Sequence, residues 1–342
     1  MMSSFAVLLP PPCTNADLHL GHLSAVYIPA DIYARYLALC GHDVLTISGA
    51  DQNNTYTKAK ADALSMGFDE AKTSFAEKIE RSLSLAGIKV DAFENTDTER
   101  HRSVSRDIVK SLLARDMVQA RSVPQFYCRS CDAPICDTEV CGTCGRCGAG
   151  SESGICENCN SFIFDRFLLA PKHKACGSAC ETSDRTGLTF ELEKCRDRLL
   201  QLVQDSRWDP RLKYKVIDYL SRTCCEPLLM TNSFDGGIEL DEPQLDSKHL
   251  AIWFEAVWNC FTGLAACFDC DLDGVLEKID SRDIQFVPFM GQDTEFCYSV
   301  GLSCVLLGLG CDRICDQIAI QKFVKLDGAK FSSSRNHVIF LD

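Results

Sequence analysis

Residues 5–51, FAVLLPPPCTNADLHLGHLSAVYIPADIYARYLALCGHDVLTISGAD, decide the fold. The apolar run Phe5–Leu9 reads as a buried strand, and the chain leaves it through Pro10, Pro11 and Pro12. From Leu20 onward apolar residues recur at helical spacing, and the pattern closes on Gly41, a natural residue just past a helix C-terminus. Pro29 lies inside this pattern and predicts a kink. A second strand then ends in the turn Gly49-Ala50-Asp51. Strand, helix and strand at this spacing form a βαβ unit, so an α/β fold with a doubly wound parallel sheet is predicted.

Working outward, residues 56–88 and 98–116 read as helices, with the short strand KVDAFE between them. Composition changes near Val123. From there to about Cys180 the chain is rich in Gly, Cys and Ser and shows no sustained periodicity, as expected of a region that folds around metal. Helical patterning returns over 193–222, and AIWFEAVWNCFTGLAA and IQFVPFMGQD then resume strand and helix patterns, completing a sheet interrupted by an insertion. The predicted segments are 1–118, the first half of the sheet with its histidine turn; 119–225, the insertion; 226–320, the second half; and 321–342, a terminal lysine–serine segment.

At 342 residues and 46% hydrophobic content, the chain can bury a substantial core. No apolar run approaches the ~20 residues needed to span a bilayer. The opening MMSSFAVLLPPP lacks a basic leader region. The expectation is a soluble, cytoplasmic protein with no membrane partner. The net charge of −13, from 35 Lys+Arg against 48 Asp+Glu, argues against a large non-specific nucleic-acid footprint.

Twenty-two cysteines admit disulfides or metal. Disulfide scaffolds are usually much shorter and exported, and ten of the cysteines crowd into 128–180, often as Cys-x-x-Cys. Cys144, Cys147, Cys156 and Cys159 form a Cys-x₂-Cys-x₈-Cys-x₂-Cys pattern, which suits a structural zinc knuckle. Cys40, Cys195, Cys224, Cys225, Cys260, Cys267 and Cys304 read as small apolar core residues.

Two segments carry chemistry. His19-Leu20-Gly21-His22 stands where a strand–turn–helix junction presents unpaired amides and a helix dipole to an anion, and the imidazoles add donors. Gly21 leaves room for a purine against the backbone. The same four residues also suit exposed histidines at an ordinary helix start. Near the other end, KFSSSR places Lys330, Ser332, Ser333 and Ser334 together, a set able to stabilise charge developing on a phosphate, or else a plain polar loop.

Taken together, PPP…HLGH and KFSSS resemble the HIGH and KMSKS signatures of class I aminoacyl-tRNA synthetases, within them the methionyl-tRNA synthetase family in its archaeal/eukaryotic-like form. SGADQNN, the knuckles, AIWFEAV, FMGQD and AKFSSSRNHVIFLD follow in family order. The resemblance implies a Rossmann catalytic domain split by a zinc-bearing insertion. It implies attack of a carboxylate on the α-phosphate of ATP, with Mg²⁺ accompanying the nucleotide, to give an aminoacyl-adenylate.

By the same resemblance, His19, His22 and Lys330 are catalytic. Gly21, Asp293, Ser332, Ser333 and Ser334 bind ATP. Pro11, Cys13, Asp51, Trp253, Ala256, Val257, Cys260 and Tyr298 surround the amino acid, with Asp51 on its ammonium. A second zinc set of Cys128, Cys131, His173 and Cys176 is implied, His173 standing where the family has cysteine.

Departures cluster at the substrate. Cys13 and Cys260 replace aromatics, Val257 a proline and Tyr298 a histidine, while near the nucleotide Gln52, Asn53 and Asn54 replace an acid-His-Gly run and Gln292 a lysine, and Asn232 and Ser233 stand in place of an Arg-Asp pair. The family continues into an anticodon-reading helical domain, and here the sequence stops at Asp342. The resulting expectation is an adenylate-forming ligase whose acceptor is a small hydroxylated amine of a natural-product, hydrazine-type pathway. The alternatives are tRNA as acceptor, with room for a separate partner protein, or a binding module that has lost turnover.

Overall fold

The computed structural model describes residues 3–156, 158–159, 162–163, 168–222, 228–281, 284–327, 329–331 and 337–341. In chain order the first elements are β1 (Ser4–Leu8), α1 (Leu20–His22), α2 (Ile28–Leu39), β2 (Asp43–Ser48), α3 (Thr55–Leu64), α4 (Phe68–Leu85), β3 (Ala92–Phe93), α5 (Glu99–Ala114) and β4 (Val118–Cys128). Later ones are named by their residues.

β1 decides the layering. Successive side chains on a strand point to opposite faces. Accordingly Ala6 and Leu8 pack into one core with α5 and the helix Ile252–Phe268, and Phe5, Val7 and Leu9 into another with α2 and α4. A strand covered on both faces reads as a continuous apolar run rather than an alternating one, which is how FAVLL reads.

β1 pairs in parallel with β2 and with Ile284–Gly291; β2 pairs with β3 and Ile284–Gly291 with Ala319–Gln321, also in parallel. The sheet order is Ala319–Gln321, Ile284–Gly291, β1, β2, β3. Numbered along the chain this is 5-4-1-2-3, the doubly wound order, with its switch point between β1 and Ile284–Gly291. The predicted fold class is the observed one.

Helix starts follow local chemistry. Asn54 caps α3 by accepting from the Thr57 N–H at 2.8 Å, and Thr98 caps α5 by accepting from that of His101 at 3.2 Å. Pro29 does not kink a helix interior. It stands in the first turn of α2, and the irregularity is a π-helical stretch, Leu23–Tyr27, just before it.

The insertion is more ordered than its composition suggests. β4 and Glu181–Phe190 form a long antiparallel ribbon, Val118 opposite Phe190 and Tyr127 opposite Glu181, with the cysteine-rich stretch at its far end. There Val140–Cys144 pairs with Leu168–His173 and Gly150–Glu152. Of the scattered cysteines, Cys195, Cys260 and Cys304 are buried as expected; Cys267 is half-buried against the main core, and Cys40 is exposed at the end of α2. Cys224 and Cys225 lie outside the described residues. Among the described residues no helix is long and apolar enough to cross a membrane.

Candidate active site

The crevice at the switch point is built by the loops that leave β1, β2 and Ile284–Gly291. Past β1 the proline loop runs parallel to the loop past β2: Cys13 bridges Asp51, the Thr14 N–H donates to the Asp51 carbonyl at 2.9 Å, and the Asp51 N–H to the Pro12 carbonyl at 2.9 Å. The Thr14 hydroxyl lies 2.9 Å from that of Thr57 in α3. Proline carbonyls remain acceptors, so this loop loses nothing by lacking N–H groups.

At α1 the two histidines cap one another. His19 Nδ1 accepts from the His22 N–H at 3.2 Å, and His22 Nδ1 from the His19 N–H at 3.3 Å. With each Nδ1 lone pair so occupied, the neutral rings carry their proton on Nε2. A Cβ on Gly21 would come 2.9 Å from the His19 ring. The glycine therefore makes room for the His19 imidazole.

The far end of the chain returns to this turn. The Leu20 N–H donates to the Ile339 carbonyl at 3.1 Å, His19 bridges Phe340, and the Phe331 ring lies 5.5 Å from the His19 ring. Phe331 follows directly on a hairpin that pairs Lys325–Leu326 with Ala329–Lys330. Only the backbone of Lys330 is described; its side chain and Ser332, Ser333 and Ser334 lie outside the described residues.

These segments enclose a cavity of ≈ 340 Å³. The first loop contributes Pro11 and Cys13, the turn His19, Gly21 and His22, and the β2 loop Asp51. The helix Ile252–Phe268 adds Trp253, Ala256 and Val257, and the stretch after Gly291 adds Asp293 and Tyr298. Cys260 is the exception. It shares a helix face with Ala256 but does not line the cavity, because Tyr298 and Val257 take the wall there; burial pushes its thiol up to about 12. Tyr27, Cys297, Phe323 and Phe331 line the cavity and escaped the sequence reading. Their apolar spacing looks like that of any core residue.

Asp51 is the unusual charge. It is 2% exposed, it accepts from the Cys13 thiol at 3.3 Å through Oδ2, and its Oδ1 has no hydrogen-bond partner among the described residues. Burial, and then the charge of Glu255, push its carboxyl up to about 8 against neighbouring hydrogen-bond donors. A buried, under-satisfied carboxyl facing a cavity suits a cationic ligand.

Behind it lies a buried network. Asn53 Nδ2 donates to Glu255 Oε1 at 2.8 Å, His101 Nε2 lies 3.2 Å from the same oxygen, and His101 Nδ1 is 2.7 Å from the Thr262 hydroxyl. Gln52 bonds the Lys72 carbonyl and the Asp97 N–H, and Asn54 caps α3. Gln52, Asn53 and Asn54, which the sequence placed near the nucleotide, are thus framework residues behind the wall rather than part of it.

Both metal sets are assembled. In each of the groups Cys144, Cys147, Cys156, Cys159 and Cys128, Cys131, His173, Cys176, the ligand atoms lie within 4.8 Å of one another. Cys144 and Cys159 sulfurs are 3.8 Å apart, Cys147 and Cys156 3.6 Å, Cys128 and Cys176 3.6 Å. His173 Nδ1 lies 3.4 Å from Cys131 and 3.3 Å from Cys176. A tetrahedron with bonds of about 2.3 Å to sulfur has edges of about 3.8 Å, so the donor spacing fits zinc. The Asn158 amide and the Ala149 N–H hold Cys147 down at about 6, and the Ser178 side chain and N–H do the same for Cys176, whereas burial pushes Cys156 up to about 12 and the neighbouring thiols of Cys176 and Cys128 push Cys131 up to about 11, so each set offers one readily formed thiolate.

The family tRNA synthetases class I (M) matches residues 6–342. Curated relatives include the methionine–tRNA ligase of Chlamydia muridarum (strain MoPn / Nigg), 27% identical over 335 residues, covering 97% of this chain and 60% of that protein. That of Methanobrevibacter smithii (strain ATCC 35061 / DSM 861 / OCM 144 / PS) is 27% identical over 343 residues, covering 99% of this chain and 51% of that protein. The chain thus spans between half and three-fifths of the relatives' length. Among solved structures, Mycobacterium tuberculosis methionyl-tRNA synthetase bound by methionyl-adenylate superposes with a TM-score of 0.73 at 18% identity, covering 98% of this chain and 60% of that one, and so shares the fold. A doubly wound sheet with a histidine turn at its switch point, matched from residue 6 to the last, places the chain in the class I (M) tRNA synthetase family.

Proposed function

We propose that the chain is an ATP-dependent ligase that forms an aminoacyl-adenylate. The observation that carries this reading is the placing of Asp51, with a buried oxygen that has no hydrogen-bond partner among the described residues, in the same cavity as the capped pair His19 and His22. An amino acid held by its ammonium on Asp51 directs its carboxylate along the cavity toward the histidine turn. A carboxylate oxygen attacks the α-phosphorus of ATP, the bond to the bridging oxygen breaks, and pyrophosphate leaves. The Nε2–H groups of His19 and His22 donate to phosphate oxygens, and Asp293 lies on the nucleotide side. Lys330, with Ser332, Ser333 and Ser334, meets the developing charge. Mg²⁺ enters with the triphosphate. The two metal sets hold structural zinc, since each has four protein ligands.

In the second step a nucleophile attacks the carbonyl carbon of the adenylate and AMP leaves. The altered walls at Cys13, Val257 and Tyr298 support a small hydroxylated amine, as in hydrazine-type natural-product pathways. The relatives' stated activity supports tRNA. Amino-acid-dependent ATP–pyrophosphate exchange tests the first step. Exchange with one or a few amino acids is expected; exchange with none, hydroxylated ones included, leaves a binding module. Once exchange is found, tRNA and an N-hydroxylated amine are compared as acceptors of the labelled aminoacyl group.

A further inference from the structure

Trp253 lines the cavity and packs against the main core, and two residues of the insertion also meet its indole. Gly154 lies beneath the indole: a Cβ there would come 2.7 Å from Trp253 Cζ2, and its φ of +103° is one that residues with a side chain rarely adopt. The indole N–H, the only donor on that side chain, hydrogen-bonds the Asp137 carboxylate. Asp137 is itself fixed. Its φ is 45°, a left-handed conformation that Asp and Asn tolerate best among residues with a side chain, and Asn232 Nδ2 lies 3.4 Å from its Oδ2. The next residue, Thr138, donates its N–H to Thr55 Oγ1 at 3.3 Å, at the start of α3 and four residues beyond Asp51.

We propose that Asp137, with Gly154, is a positioning device for Trp253, so that the cysteine-rich insertion holds the wall that the amino-acid side chain faces. Asp137 touches no substrate; it acts through the indole. Only the identity of what the wall faces rests on the adenylation reading.

The chain has three tryptophans, and Trp208 and Trp258 are 3% and 0% exposed, so acrylamide quenching of indole fluorescence reports chiefly on Trp253. Asp137→Ala is expected to raise the quenching constant and red-shift the emission. It should also raise the KM of the amino acid that supports exchange about tenfold, with kcat and the KM for ATP within twofold. Asp137→Asn keeps an oxygen acceptor and the left-handed backbone, and should restore both readouts to near wild type. Unchanged quenching in a folded Asp137→Ala protein overturns the proposal, and so does an equal rise in both KM values. Asp137→Ser replaces the alanine variant if circular dichroism shows that it does not fold. Where wild type exchanges with no amino acid, the adenylation reading fails by itself, and quenching alone then upholds or overturns the role of Asp137.

Discussion

His19 and His22 stack with ring centroids 3.7 Å apart and planes within 9°, and each accepts the other's backbone N–H. One arrangement thus serves two purposes, starting a helix and presenting Nε2–H donors. The purposes are separable, because Asn is among the best N-cap residues and carries no imidazole. His19→Asn should leave the thermal midpoint near wild type and lower pyrophosphate exchange by roughly 100-fold. His19→Ala should lose about 1 kcal/mol of stability as well. Full exchange in a folded His19→Asn protein would remove the His19 imidazole from the phosphate site.

The carboxyl of Asp51 links pH to both binding and stability. Its ordinary value is 3.8 and burial with Glu255 raises it to about 8. Between those values the folded chain keeps a proton that the unfolded chain has released, so stability falls as pH rises through that window, by up to about 1.4 kcal/mol per pH unit. Asp51→Asn removes the dependence. In urea titrations at pH 5 and pH 8 the variant should gain on wild type at the higher pH. Binding runs the other way, since an ammonium pairs with the carboxylate, and wild-type affinity for the amino acid should rise with pH toward about 8. A variant that tracks wild type at both pH values would mean that Asp51 ionises normally.

The sheet was legible in the sequence because its signals are local. The FAVLL run, the Gly41 stop and the Gly49-Ala50-Asp51 turn each report on their own neighbourhood, and together they fix a βαβ unit. The metal sets were legible for the same reason: Cys-x-x-Cys spacing is short-range, and only the pairing of Cys128 and Cys131 with His173 and Cys176 needed the resemblance. What was illegible depends on contacts between distant segments. Gln52, Asn53 and Asn54 look like substrate contacts beside Asp51, yet their side chains turn to Lys72, Glu255 and α3, which no local pattern announces. Asp137 carries no sequence signal either, because its partner Trp253 is more than a hundred residues away.

Zinc should follow the two donor sets independently. Atomic absorption of wild type is expected to give two zinc ions per chain. His173→Ala should give one, and His173→Cys, which keeps a fourth soft donor, two. Cys144→Ala should chiefly cost folding of the insertion, as metal binding and folding are one process in such knuckles. A wild-type stoichiometry of one, unchanged by His173→Ala, would leave the Cys128 set without a metal.

Lys330 is expected to act in the transition state alone. Its backbone is tied to the histidine turn through the next residue, Phe331, whose ring is tilted 36° to that of His19 at 5.5 Å. A charge that matters only while the bond to pyrophosphate is breaking changes kcat and kcat/KM together and leaves ground-state binding alone. Lys330→Ala should therefore lower exchange by roughly 1,000-fold with both KM values within about threefold. Phe331→Ala, which loosens the tie but spares the ammonium, should show a smaller loss in kcat, about tenfold. If Lys330→Ala instead raised the KM for ATP and left kcat intact, the lysine would be a binding residue for the ground-state triphosphate.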